Sequence, residues 1–362
     1  MSAEYAEYAE YATFGLAPAT RVGEVRAHGD HQIHRDFVDF IVDGRPLLFR
    51  LADLDAVSPL AADIPPALFA GHVRSLLLEA GAPLEGGRHV IYGCPECEGL
   101  DCGAVTAVIE PAADGSDDVV WRDFAWQTDE HADLEADGYH GIGPFRFRGA
   151  EYRAALGRLL ASTAEPPARR RVLLIGARVA LLARLAAALR TIGIGAEIVQ
   201  DTSGVPAEEL RTYGAVAFGR AVDATRRDAV RRQFADAGVD VVHVDGLAPV
   251  VPLLVAQIEA ALDRGPEERR RLTRLVAADG TAQLRVTSTC RVRLTAYRLD
   301  RLYRTHTRDV FDAVLAPGDH GIPLDGRATR GESFLVARTT GSVLVAPVAH
   351  RPRGEGTGPG HG

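Results

Sequence analysis

Lysine and asparagine are missing from this chain altogether, and of its 362 residues all 41 basic ones are arginine. Without lysine, a P-loop phosphate contact through that side chain, a Schiff base and the lysine-dependent switch of response-regulator receivers are excluded. A GC-rich coding sequence explains the bias more simply than selection for guanidinium chemistry. Cysteine is scarce too. Four are present, three of them within nine residues, which argues against a disulfide framework and for a reducing, cytoplasmic setting. No run of about 18 apolar residues is available to span a bilayer. The opening Met1-Ser2-Ala3-Glu4-Tyr5-Ala6 lacks the basic start and long apolar core of a signal peptide. Ser58, Ser203 and Ser288 lack the G-x-S-x-G context of a nucleophile elbow, so nothing compels a hydrolase.

What remains has the composition of a globular protein, 46% hydrophobic and 25% charged. The length implies two or three cores. Charge is unevenly spread: residues 1–150 hold 26 acidic and 10 basic side chains and the remainder 23 and 31, so a front of −16 meets a rear of +8. The two parts should attract. An acidic front argues against nucleic acid there and for docking onto a basic surface of the same or another chain.

Read in order, residues 1–19 are expected to be a disordered leader. Residues 20–162 read as an α+β domain. A hairpin is predicted at 33–42 and 47–51, joined by Asp43-Gly44, the dipeptide favoured in type I′ turns. A helix opens at Pro65-Pro66 and ends near Gly81, strands at 90–92, 104–109 and 119–124 form a meander, and a helix spans about 150–162. A stiff Pro-Pro linker covers 163–170. Residues 171–278 alternate short apolar runs at 172–175, 196–199, 215–218 and 239–242 with helical stretches, which predicts a parallel sheet of about four strands. A further helical run is expected at 266–277. From 279 to 349 apolar residues alternate with Arg, Thr and Ser, as in a β-sandwich with one wet face, and Thr340-Gly341-Ser342 is its tight hairpin turn. The Gly- and Pro-rich stretch 350–362 is expected to be a disordered tail.

Through Gly176 and Asp201, the segment 172–201 resembles the opening of Rossmann-like (flavodoxin-like) nucleotide-binding domains, a look often associated with oxidoreductases. Such sheets bind ligands at the carboxyl ends of their strands, where helix N-termini offer free N–H groups. The residues placed there are Gly176, Arg178, Asp201, Gly219, Arg220, Asp245 and Gly246. Gly176 fits the first glycine of the fingerprint and Asp201, 25 residues on, fits the ribose-binding acid. Arg178 and Leu181 stand where the second and third glycines belong, so a phosphate held by Arg178 and Arg220 fits better than a dinucleotide. With its turn at 318–325 and closing hairpin, the segment 281–348 resembles small β-sandwich modules appended to bacterial proteins, which bind or dock. The front domain, with Gly93-Cys94-Pro95-Glu96-Cys97, Trp121-Arg122-Asp123-Phe124 and Gly141-Ile142-Gly143-Pro144-Phe145, resembles a bacterial domain to which no activity attaches.

Cys94-Pro95-Glu96-Cys97 has the shape of a zinc knuckle. Tetrahedral zinc wants four donors, so Cys102 is the third and His89 the fourth, with His72 and His140 as alternatives. The bland reading is a β-turn with inert thiols. Glu96, Glu98 and Asp101 argue against a redox pair, because acidic neighbours raise thiol pKa. His28, His31 and His34 are spaced by three but run into a strand, where such residues face opposite ways, so they read as surface histidines. Arg226, Arg227, Arg231 and Arg232 read as the solvated face of a helix. No acid, base and nucleophile converge. The expectation is a cytoplasmic protein that binds a small molecule, a phosphate or a protein partner, with a nucleotide site on the α/β domain and a structural zinc; the alternative is an oxidoreductase using an NAD(P)-type cofactor.

Overall fold

The computed structural model describes residues 11–26, 30–51, 54–61, 64–97, 100–161, 171–247, 249–263, 265–278, 280–300, 304–326 and 331–349. The first ten residues, the linker 163–170 and the tail lie outside these. Among the described residues no helix is long and apolar enough to cross a membrane.

Phe14–Arg21 (β1) runs antiparallel to Arg35–Val42 (β2), from Phe14 opposite Val42 to Arg21 opposite Arg35. The expected leader therefore needs correcting from residue 11 onward. Phe14 packs on the aromatic core, its ring 4.6 Å from that of Tyr152 and 5.1 Å from that of Phe147, and that burial anchors the strand. After β2, Asp43 and Gly44 adopt positive φ of 52° and 73°, as a type I′ turn requires. The return is shorter than predicted. Only Arg45–Pro46 pairs before a 3-10 turn over Leu47–Arg50, since proline has no N–H to extend the ladder.

Helix α1 (Pro66–Leu76) leads to the expected meander of Arg88–Gly93 (β3), Ala104–Pro111 (β4) and Val119–Gln127 (β5), joined by Phe145–Phe147 (β6) in the order β3-β4-β5-β6. Helix α2 (Gly149–Ala161) closes the region. Its Tyr152 accepts from the indole of buried Trp121 at 3.2 Å and donates to the Leu76 carbonyl at 2.8 Å, so the polar tips in this core are satisfied.

The central strands are Arg171–Ile175 (β7), Gly195–Val199 (β8), Tyr213–Gly219 (β9) and Val242–Leu247 (β10), all parallel, in the order β8-β7-β9-β10. The order reverses between β7 and β9, as at the switch point of a flavodoxin-like sheet. β10 begins three residues later than the predicted fourth strand, which brings Asp245 and Gly246 inside it. The helices are Val179–Thr191 (α3), the short Ala207–Leu210 (α4), Ala224–Asp236 (α5) and Val251–Leu262 (α6). Leu182, Leu185 and Leu189 of α3 pack on one face of the sheet with α6, and Val230 and Phe234 of α5 on the other.

Helix α6 organises the whole molecule. It is apolar on nearly every side, which is the pattern of a buried helix. Leu254, Val255, Ile258 and Leu262 pack against the parallel sheet. Val250, Leu253 and Ala256 pack instead with Val22 from the front region and with Tyr297, Leu299, Val336 and Val343 from the rear.

The rear strands are Leu272–Ala278 (β11), Thr281–Val286 (β12), Cys290–Leu299 (β13), Thr305–Leu315 (β14), Gly318–Pro323 (β15), Glu332–Thr339 (β16) and Ser342–Ala349 (β17). They form one curled sheet, a half-barrel, in the order β14-β13-β16-β17-β11-β12-β15. Two separate packed sheets were expected. The difference arises because β17 pairs in parallel with β11, at Ala277 opposite Val348, and this joins the two antiparallel halves. The helix expected at 266–277 is instead a 3-10 turn, Glu267–Arg269, followed by β11, so the first strand of the curled sheet begins at Leu272.

Candidate metal centre and neighbouring sites

Strand β3 ends and β4 begins on either side of a loop that carries three cysteines. Gly93 fixes its start by exchanging hydrogen bonds with Val57, N–H to O at 2.9 and 3.1 Å. Gly103 fixes its end. Its φ of +83° is left-handed, and an added Cβ would lie 2.3 Å from the Trp126 indole, so only glycine fits. Between these clamps the Sγ atoms of Cys94, Cys97 and Cys102 lie within 4.8 Å of one another, with Cys94 and Cys97 half-buried and Cys102 exposed. The N–H of Glu96 points at Cys94 Sγ, 3.5 Å away, as in a metal knuckle. Glu98 and Gly99 lie outside the described residues.

The pKa values of Cys94 and Cys97 are shifted in opposite directions. Burial opposes the Cys94 thiolate, but hydrogen bonds from Cys97, the Glu96 and Cys97 N–H groups and Cys102 favour it and lower its pKa. Cys97 is pushed up to about 12, chiefly by its hydrogen bonds with Cys94 and Cys102. Metal binding at such a site displaces the thiol protons, so it couples to the pKa of each cysteine.

His89 is not among the converging donors. It sits near the start of β3, about 13 Å along the strand from Gly93, with Nδ1 3.1 Å from Ser75 Oγ. Burial lowers its pKa to about 4. His72 is exposed on α1, with partial desolvation lowering its pKa, and His140 is exposed in the turn before β6.

At the mouth of the parallel sheet, Gly176 and Gly219 face each other across the switch point, a Cβ on Gly176 falling 3.4 Å from the Gly219 Cα. Arg178 is exposed at the N-cap of α3. Asp201 accepts the Ser203 N–H at 2.9 Å in a local turn, which lowers its pKa. Arg220 points away, to Glu332 of β16, at 3.2 Å and a shorter second contact. Asp245 accepts from Arg231 at 2.7 Å, with Arg227 at 3.7 Å. Gly246 lies within β10. The arginine and aspartate expected to meet a ligand at Arg220 and Asp245 thus meet protein partners.

The junction around α6 was invisible to motif reading. Glu259, the one acidic residue in that helix, is fully buried and accepts from the Gly23 N–H at 3.0 Å and faces His34 Nδ1 at 3.1 Å. His34 is buried, which corrects its reading as a surface histidine; His31 is exposed and His28 lies outside the described residues. Beside it, Arg338 donates to the Gly23 carbonyl at 2.8 Å and Arg293 forks onto both oxygens of Glu24. A cavity of about 430 Å³ opens here, lined by Glu24, Arg26, Arg291, Arg293, Asp312 and Arg338, whose charges are largely spent on one another. A lone acid in an apolar helix was the available signal, since a buried charge demands a partner.

No protein-family model matches the chain, and no curated protein matches it. Among solved structures, an engineered protein is similar over 50% of this chain and 48% of its own, at 16% identity and a TM-score of 0.15, too low to argue from. This chain thus spans about half the length of that structure.

Proposed function

We propose that this protein acts by binding rather than by turnover, and that its functional centre is the three-thiolate site Cys94, Cys97 and Cys102, holding a thiophilic metal such as zinc in a cytoplasmic setting. The observation that supports the reading is the convergence of three sulfurs within 4.8 Å on a loop clamped at both ends. Thiolates select soft or borderline metals over magnesium or calcium. With a metal bound, Cys94, Cys97 and Cys102 would supply three ligands, and the exposed side at Cys102 would give the ion its way in. His89 would stay with Ser75.

The alternative, an oxidoreductase with a nucleotide at Gly176, Arg178 and Asp201, gains nothing from the mouth of the sheet. Arg220 and Asp245 are engaged elsewhere, and the second and third fingerprint glycines are replaced. Titration of the reduced protein with Cd²⁺ tests the first reading. A sulfur-to-metal charge-transfer band should saturate at one equivalent and vanish in Cys94→Ser. Absence of any band would sink the reading, whereas a rise in melting temperature with a dinucleotide would revive the alternative.

A further inference from the structure

We propose that the Cys94, Cys97 and Cys102 triangle takes a trivalent, three-coordinate ion of the arsenic(III) or antimony(III) class in preference to a divalent metal. The proposal deepens the thiolate reading above and rests on it.

The first argument is the number of donors. Three sulfurs converge, and among the described residues no histidine or carboxylate brings a ligand atom within the same 4.8 Å. A tetrahedral divalent ion wants four donors. A trivalent ion with a stereochemically active lone pair wants three and a vacant side. Cys102 is the exposed member of the set, so the triangle has an open face for that lone pair and for entry.

Charge supplies the second argument. Three thiols and As(OH)₃ give As(SR)₃ and three waters: three S–H and three As–O bonds break, three As–S and three O–H bonds form, and no atom is oxidised or reduced. The assembled site is neutral. Three thiols and a divalent cation give M(SR)₃⁻ and three protons, which leaves a net negative charge on a loop that also carries Glu96 and Asp101. Arg21, 3.5 Å from Glu96, is already forked onto Asp55, so it offsets little of that repulsion. Acidic surroundings thus penalise the divalent complex and leave the trivalent one unaffected.

The test uses the full chain, reduced with a phosphine, titrated with arsenite, Zn²⁺ and Cd²⁺, and followed by intact mass and by the fluorescence of Trp126, whose indole lies against Gly103. Arsenite should form a one-to-one adduct with loss of three waters and bind at least about tenfold tighter than Zn²⁺. Cys102→Ser, at an exposed position, should keep the fold and lose at least about tenfold in arsenite affinity. Zn²⁺ or Cd²⁺ binding more tightly than arsenite would overturn the proposal and leave the metal reading intact. An arsenite affinity unchanged in Cys102→Ser would overturn it as well. Binding of none of the three would sink both.

Discussion

Nδ1 of His34 lies 3.1 Å from a carboxylate oxygen of Glu259, a pair that joins the front region to helix α6 and is buried on both sides. The second ring nitrogen is 3.5 Å from Asp36. Burial opposes a charge on His34, but the Glu259 carboxylate and the hydrogen bonds to Asp36 and Glu259 outweigh it, and the pKa is pushed up to about 9. The imidazolium is the form that fits.

A group whose pKa is higher folded than unfolded stabilises fully below the unfolded value, near 6.5 for histidine, and loses that contribution as pH rises through the folded value. Stability should therefore fall between pH 6.5 and about 9, by an amount on the order of 3 kcal/mol. Glu259→Gln should be less stable at pH 6 by roughly 3–5 kcal/mol, because it leaves a buried cation without its counter-charge, and its stability should be flat across that window. Urea midpoints of both proteins from pH 6 to 9.5 check this. Parallel curves would show that the pair is not linked to folding.

A buried carboxyl in the front region, Asp39, titrates below His34. Asp39 accepts the Tyr92 hydroxyl and, at 2.8 Å, the Phe40 N–H. Burial pushes its pKa up to about 7, against the pull of those two bonds and of the Arg271 guanidinium. An acid raised in the folded state stabilises fully below its unfolded pKa, near 3.8, and loses that contribution as pH rises through the folded value. Asp39→Asn should remove the part of the pH dependence between about 4 and 7, leaving the His34 part above it. A variant that keeps the wild-type slope below pH 7 would count against this assignment.

Gly23 is the point at which the front strap crosses α6. A Cβ there would stand 2.7 Å from Ile192 Cδ1 and 2.9 Å from Glu259 Oε1, both in packed surroundings. Gly23→Ala should cost about 1–3 kcal/mol, as overpacking does, and should weaken the hydrogen bond that Gly23 gives Glu259. Gly115→Ala, in open space but at φ +75°, is the control for backbone strain alone. A Gly23→Ala protein as stable as wild type would show that the strap is loosely held.

The parallel sheet was legible because strands buried on both faces read as continuous apolar runs, and β7 and β9 are such runs. β11 was not, because Leu272, Leu275 and Val276 fit a helical stripe as well as a strand, and pairing with β12 and β17 decides the matter. The cysteine triangle could be read from spacing, since all three donors lie on one loop. His89 could not be placed, because whether its ring faces the loop or Ser75 depends on how β3 packs against α1. His34 and Glu259 are 225 residues apart, and no local pattern relates them.

The loop that carries the cysteines is held by the contact between Gly103 and Trp126, and that contact can be broken without removing a donor. Gly103→Ala places a Cβ where the indole now lies, and in a left-handed backbone that alanine adopts only at a cost of about 1 kcal/mol or more. The chain must shift, and Cys102 with it. Thiophilic ion affinity should then fall at least about tenfold while all three sulfurs remain, and Trp126 emission should move toward that of a solvated indole even without metal. Trp126→Ala restores space but not the φ, so it should recover part of the affinity when added to Gly103→Ala. An unaltered Cd²⁺ titration in Gly103→Ala would mean that the triangle assembles independently of its clamp, and the geometry of the loop would then owe more to the ion than to the fold.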